Sequence, residues 1–242
     1  MNDHELAARL ATEAGRLLLD VRQEFADADA RERKDAGDKR SHEFLMQAFA
    51  EERPDDAVLS EEGADDPVRL TAQRVWIVDP LDGTREFSEL GRDDWAVHVA
   101  LWEAGELIAG AVALPAQDIT WATPEVAAPP AAPGKPRIVV SRTRPPAIAL
   151  AVRDALDGVL VEMGSAGAKV ASIVQGVSDV YVHAGGQFEW DSAAPVAVAR
   201  AAGLHTSRID GSGLVYNQRD PKLPDLVVCR PELAEAVLAV TG

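Results

Sequence analysis

The sequence predicts a mixed α/β protein in which sheets are covered by helices. Three observations predict it: helical apolar spacing at the start, short apolar runs through the first half, and strand–helix alternation through the second. From residue 4 to about 25, Leu6, Leu10, Ala14, Leu17, Leu18 and Val21 share one face of an amphipathic helix. Asp27 to Arg40 is densely charged and reads as a loop. Phe44, Leu45, Ala48 and Phe49 mark a second helix, which ends before Pro54. Val58–Ser60, Val75–Val78, Trp95–Trp102 and Leu107–Leu114 have strand composition, and Glu103–Glu106, with Gly105, joins the last two as a hairpin. Ile119–Ala122 reads as one more strand. Ala127–Pro136, rich in alanine and proline, is a connector. Beyond it, strands at Ile138–Ser141, Val159–Met163, Val180–His183 and Leu226–Cys229 alternate with helices near 146–157, 167–175, 191–202 and from Glu232.

Charge shifts at the same place. Residues 1–120 hold 28 acidic and 13 basic side chains, whereas residues 121–242 hold 12 and 11. The connector and this shift divide the chain into two expected subdomains, 1–135 (α+β) and 136–242 (α/β). With 47% hydrophobic and 26% charged residues, the composition is that of an ordinary globular protein. A net charge of −16 argues against nucleic-acid polymers and anionic membranes as partners. No apolar run is long enough to span a bilayer. The polar, acidic start (Met1 to Glu5) is not expected to be a secretory signal. The single cysteine, Cys229, excludes an intrachain disulfide and fits a reducing, cytoplasmic compartment.

Most acidic side chains serve a solvated surface, so those in apolar surroundings carry the information. The strongest case is Trp76-Ile77-Val78-Asp79-Pro80-Leu81-Asp82-Gly83-Thr84. An apolar strand delivers Asp79 to its end, Pro80 fixes the turn, and Gly83 allows a backbone conformation that other residues resist. A helix starting at Thr84 would offer free N–H groups to a phosphate. Two carboxylates held so close repel each other unless a cation lies between them. A capping turn needs one acidic residue, not two flanking a proline. Phosphatases that form an aspartyl-phosphate use D-x-D-G-T, whereas this spacing is D-x-x-D-G-T, so covalent catalysis by Asp79 is disfavoured. Glu61-Glu62, after a short apolar run, and Asp191, opening an alanine-rich helix after Trp190, complete a carboxylate set. Oxygen ligands alone suit a hard ion such as Mg2+, and none of the five histidines has zinc-like spacing. Paired metal ions about 3.5–4 Å apart activate water and stabilise the leaving oxygen in an in-line displacement.

Glu61-Glu62, Asp79 to Thr84, and Trp190-Asp191 with Gly203 eleven intervening residues later resemble the signature of the lithium-sensitive, Mg2+-dependent phosphatases of the inositol monophosphatase superfamily. The resemblance spans nearly the whole chain and implies a layered α-β-α-β-α sandwich. It implies two or three Mg2+ ions: Glu61, Asp79 and the Leu81 carbonyl on the first, Asp79, Asp82 and Asp191 on the second, and a third near Glu61. Asp38 aligns with the aspartate that pairs with the motif threonine, here Thr84, to orient and deprotonate the attacking water. The family's usual threonine before that aspartate is absent from Asp35-Ala36-Gly37. Gly164-Ser165-Ala166 matches the loop beside the substrate, and Asp82, Gly83, Thr84 and Asp191 line the same site. A homodimer is common in this family.

For the substrate, the family's inositol-directed members place a glutamate where this chain carries His183 and one extra residue before Trp190-Asp191. His183–Pro195, Ser141-Arg142 and Gly164–Lys169 look more like the bacterial CysQ branch, the 3′(2′),5′-bisphosphate nucleotidases, whose substrate is 3′-phosphoadenosine 5′-phosphate from sulfate assimilation. A second phosphate needs its own cation. Among Arg142, Arg144, Lys169, Arg208 and Lys222, the expected partners are Lys169 and Arg142, next to the loop motifs. An inositol monophosphatase or fructose-1,6-bisphosphatase is the runner-up, and a catalytically silent metal- or nucleotide-binding regulator on the same fold is the reading from another class.

Overall fold

A computed structural model describes all 242 residues. The elements are α1 (Asp3–Glu24), α2 (Ala30–Glu52), β1 (Ala57–Ser60), β2 (Arg74–Asp82), α3 (Thr84–Ser88), β3 (Ala96–Glu103), β4 (Glu106–Leu114), β5 (Ile119–Ala122), β6 (Arg137–Ser141), α4 (Ala147–Ala155), β7 (Val159–Met163), α5 (Ala166–Val174), β8 (Val180–Phe188), α6 (Glu189–Ala201), β9 (His205–Ser207), β10 (Lys222–Cys229) and α7 (Ala234–Thr241). One sheet runs β1-β2-β3-β4-β5 and lies before the connector; the other runs β7-β6-β8-β10-β9 and lies after it. Pairing in the first is antiparallel except β1 with β2. In the second, β6 runs parallel to both neighbours, while β10 is antiparallel to β8 and β9.

Strand alternation decides the layering, because successive side chains point to opposite faces of a sheet. On β2, Trp76 and Val78 face a cluster with Leu6, Leu10, Leu18 and Phe49 of α1 and α2. Val75 and Ile77, on the other face, join a cluster with α5, α6 and the inner face of the second sheet (Val139, Tyr181, Leu226, Val228). The outer face of that sheet (Ile138, Val140, Val227, Cys229) packs on Ala149 and Val152 of α4 and Val237 of α7. The order is therefore helices, sheet, helices, sheet, helices: the layered α-β-α-β-α sandwich. No helix is long and apolar enough to cross a membrane.

Two expectations need correction. The charged stretch up to Arg40 is not a loop; Ala30 onward is helical, capped by the Asp29 carboxylate on Arg31 and Glu32 N–H. Its inward residues are Arg33, Gly37 and Ser41, so it has no apolar stripe to read. Arg33 instead donates to the carbonyls of Phe25, Ala26, Ala28 and Ser88, and Ser41 Oγ donates to Pro80 O at 2.6 Å. Gly37 lies so close to Phe87 and Leu81 that a Cβ would stand 2.7 Å and 3.0 Å from them. Second, β2 does not stop at Val78. It continues to Asp82, with its register on β3 broken between Asp79 and Asp82. That irregularity places Pro80 and Leu81 outside the ladder, where the missing N–H of Pro80 is tolerated.

Candidate metal centre

Three elements bring the acidic residues together. The end of β2 supplies Asp79 and Asp82, and the first turn of α6 supplies Asp191. Carboxylate oxygens of these three lie within 4.8 Å of one another. Glu61 follows β1, whose parallel pairing with β2 (Ser60 opposite Val78) puts it beside Asp79. Glu61, Asp79, Asp82 and Asp191 are thus gathered although 130 residues separate the first from the last. Three of the four are held by nearby N–H or O–H donors. Asp79 Oδ1 accepts from Leu81 N–H at 3.0 Å, and Asp191 Oδ2 from Phe188 N–H at 2.7 Å. Asp82 Oδ2 accepts from Gly167 N–H at 2.7 Å and from the Ser165 hydroxyl.

So much like charge in a buried place disturbs the protonation of these groups. Burial, then the carboxylates of Glu61, Asp82 and Asp191, push Asp79 well above its ordinary pKa. Burial and Asp82 raise Asp191 to about 7. Burial raises Glu61 to about 6, although a hydrogen bond with Asp79 works against it. Asp82 alone goes down: burial would raise it, but the His98 imidazole and the donors on Oδ2 outweigh that. A compact all-oxygen donor set, whose mutual repulsion only a cation or protons relieve, fits a hard divalent ion. Leu81, the expected backbone ligand, lies between Asp79 and Asp82 at the register break.

The loop Gly164-Ser165-Ala166 meets this centre directly. Ser165 has φ +42°, caps α5 by accepting from Ala168 N–H at 3.0 Å, and touches Asp82. Gly83, with φ +81°, approaches it so closely that a Cβ would lie 3.0 Å from Ser165 Cβ. Gly164 N–H is held by buried Asp94, and a Cβ on Gly164 would collide with Glu86 at 2.2 Å. Thr84 opens α3 and is half-buried. Asp38 lies on α2, lining a small cavity of about 300 Å3 with His42 and Glu62. Burial and Glu62 raise its carboxyl to about 7. No hydrogen bond joins Asp38 to Thr84, which lines a neighbouring groove with Lys34 and Asp35.

Beside the loop lies a cavity of about 490 Å3, lined by Ser141, Arg144, Lys169, Tyr181, His183 and Gln187 among others. Lys169 is buried, donates to Ser165 O at 2.9 Å and sits 5.6 Å over the Tyr181 ring. Burial lowers its pKa against the pull of Asp82. Arg142 does not line this cavity. Its guanidinium is held by Glu86 (2.8 Å) and Glu89 (2.7 Å), which neutralise it beneath the Gly164 loop. Arg208 is likewise paired with Asp225. The arginine that lines the cavity is Arg144, which forms no ion pair. Sequence reasoning named Arg144 only as one of five cations, and missed Tyr181, Gln187 and His98. His98 did leave a signal: a lone imidazole inside the apolar run Trp95–Trp102.

Comparison with known proteins shows the family of the chain. The chain matches the model of the inositol monophosphatase family over residues 2–127 and 138–241. It is 51% identical over 253 residues to a 3′-phosphoadenosine 5′-phosphate phosphatase of Mycobacterium leprae, covering 99% of this chain and 93% of that protein. Identity to the 3′(2′),5′-bisphosphate nucleotidase CysQ of Escherichia coli K12 is 32% over 231 residues, covering 88% and 93%. The crystal structure of CysQ from Bacteroides thetaiotaomicron, a bacterial member of the same family, superposes with a TM-score of 0.80 at 28% identity, covering 93% of this chain and 96% of that one.

Proposed function

The chain belongs to the inositol monophosphatase family, and from that premise we propose that it is a Mg2+-dependent phosphatase releasing the 3′-phosphate of 3′-phosphoadenosine 5′-phosphate. The observation that carries the substrate assignment is the cavity beside the carboxylate cluster. Lys169 and Arg144 line it, neither is neutralised by an acidic partner, and Ser165 connects it to Asp82. A substrate with one phosphate at the metals and a second some way off fits two such cationic places. A singly phosphorylated sugar or inositol leaves buried Lys169 without an anion.

The residues divide the work. Glu61, Asp79, Asp82, Asp191 and the Leu81 carbonyl would hold the ions. Bound Mg2+ supplies charge compensation for the phosphate and the leaving oxygen and makes water more acidic. Asp38, already poised near neutrality, takes the proton of the attacking water, with Thr84 orienting it. Gly83 and Thr84 N–H groups donate to phosphate oxygens. The water oxygen bonds to phosphorus as the phosphorus–O3′ bond breaks, and the ribose oxygen takes a proton from solvent as it leaves. No side-chain nucleophile takes part.

The test is a steady-state comparison of 3′-phosphoadenosine 5′-phosphate, inositol 1-phosphate and fructose 1,6-bisphosphate with Mg2+ present and after chelation. The nucleotide should give the highest kcat/KM, and chelation should abolish turnover of all three. A higher kcat/KM for inositol 1-phosphate would overturn the substrate, and activity surviving chelation would overturn the metal mechanism.

A further inference from the structure

We infer that Asp94 is a positioning residue for the Gly164 loop, holding that loop so that Ser165 and Lys169 stand where the phosphorylated substrate meets them. The consequence for turnover rests on the phosphatase reading above. Asp94 lies just before β3 and is 4% exposed. Its Oδ2 accepts from the buried Gly164 N–H at 2.5 Å, a residue 70 positions away that belongs to the other half of the chain. Arg92 completes the bonding of the carboxylate, with Nε donating to Oδ1 at 2.7 Å and Nη2 donating to Oδ2. The segment that carries Asp94 is fixed in turn by α1, where Arg22 donates to the carbonyls of Glu89 and Arg92.

What this bond holds is a strained corner. Ser165 takes φ +42° and ψ 138°, a conformation that residues with a side chain avoid and keep only where their surroundings impose it. From that corner its hydroxyl donates to Asp82 and accepts from Ala168 N–H at 3.0 Å, while its carbonyl accepts from Lys169 Nζ at 2.9 Å. The corner thus reaches the carboxylate cluster on one side and the cavity lined by Lys169 on the other. Asp94 fixes the residue directly before it. Glu86, held by Arg142 at 2.8 Å, closes on the same residue, since a Cβ on Gly164 would stand 2.2 Å from Glu86 Cγ. The Asp94 carbonyl also faces Gly83, where a Cβ would lie 3.4 Å from it, so one residue meets both glycine turns of the site. Core packing alone does not call for a carboxylate here. Burying one is costly unless it is paired and hydrogen-bonded. An apolar side chain would avoid that cost, but it would leave Gly164 N–H without a partner away from water.

Two substitutions test this placement. Asp94→Ala removes the acceptor, and Arg92, whose side chain is 32% exposed, can turn to solvent. Asp94→Asn keeps an oxygen for Gly164 N–H and gives up only the charge. Hydrogen exchange is followed by mass spectrometry on wild type and both variants without metal or substrate, with folding checked by circular dichroism. In Asp94→Ala the peptide Gly164–Lys169 should exchange about tenfold faster, the factor expected for loss of one hydrogen bond to a charged group, with Val180–Val182 of β8 unchanged. Asp94→Asn should exchange like wild type. With Mg2+ and the nucleotide, kcat/KM should fall about 100-fold in Asp94→Ala, the effect of a misplacement of about 1 Å, and less than about tenfold in Asp94→Asn. Wild-type exchange of the loop in folded Asp94→Ala overturns the inference, as does a rise in exchange spread evenly over the protein or an Asp94→Asn as impaired as Asp94→Ala. Should Asp94→Ala fail to fold, Asp94→Asn decides alone, and a fast-exchanging loop in that variant overturns the inference. Wild type that hydrolyses none of the three phosphate esters removes the phosphatase reading itself, and the exchange measurement still judges the hold of Asp94 on the loop.

Discussion

Replacing Asp191 with asparagine should stabilise the metal-free protein while destroying its activity. In an unfolded chain the Asp191 carboxyl ionises near its ordinary value, about 4. Folded beside Asp82 and away from water, it keeps its proton up to about 7. Between those limits the folded state binds more protons than the unfolded state. Stability therefore falls as pH rises through that window, and the loss is complete above about 7. Three pH units at ~1.36 kcal/mol each amount to roughly 4 kcal/mol. Part of that repulsion is shared with Asp79 and Asp82, which relax once their neighbour is neutral, so Asp191→Asn should recover about 2–4 kcal/mol at pH 8. Its amide oxygen still accepts from Phe188 N–H, so the start of α6 keeps its bond. Urea unfolding in EDTA at pH 4 and pH 8 reads the effect: near-equal stabilities at pH 4, and a clear advantage for the variant at pH 8. Added Mg2+ should then close the gap, since wild type gains about 2.7 kcal/mol at 100 times its Kd and the variant, with a damaged site, gains less. A variant less stable than wild type at pH 8 in EDTA, or a difference independent of pH, would refute the reasoning.

Asp82→Asn should lower kcat by orders of magnitude with the fold intact, because Asp82 is the proposed ligand of the ion and accepts from the Ser165–Gly167 turn; ordinary turnover by this variant would count against the metal site. Lys169→Ala and Arg144→Ala should each raise KM for the bisphosphate more than for adenosine 3′-monophosphate, and an equal rise for both substrates would remove that residue as a ligand of the second phosphate. Gly167→Ala should destabilise the protein by about 1–3 kcal/mol, since the new methyl would stand 2.0 Å from the immobile His98 ring; an unchanged melting temperature would show that the ring can yield.

The fold was legible wherever burial leaves a period in the sequence. Val75 to Val78 alternate between two apolar surroundings, and Leu6, Leu10, Ala14 and Leu18 recur at helical spacing; both patterns are fixed by geometry before any tertiary contact forms. The segment Ala30–Arg40 escaped because it is held by hydrogen bonds from Arg33 and Ser41 and by the close approach of Gly37, none of which shows as hydrophobic periodicity. Strand β9 and the continuation of β2 through Pro80 escaped for a related reason: pairing partners, not local propensity, hold them.

For the site, the sequence by itself determined which chemical groups are available: carboxylates at a strand end and a helix start, spaced too rigidly for surface residues, and a glycine where a left-handed turn was required. Tertiary structure alone decided what those groups do to one another. It neutralised Arg142 with Glu86 and Glu89, left Arg144 free, set His98 between Asp82 and Trp190, and packed three carboxylates so that Asp79 is pushed well above its ordinary range and Asp191 up to about 7. Electrostatic work falls off with distance and grows with burial, and neither quantity can be read from positions along a chain.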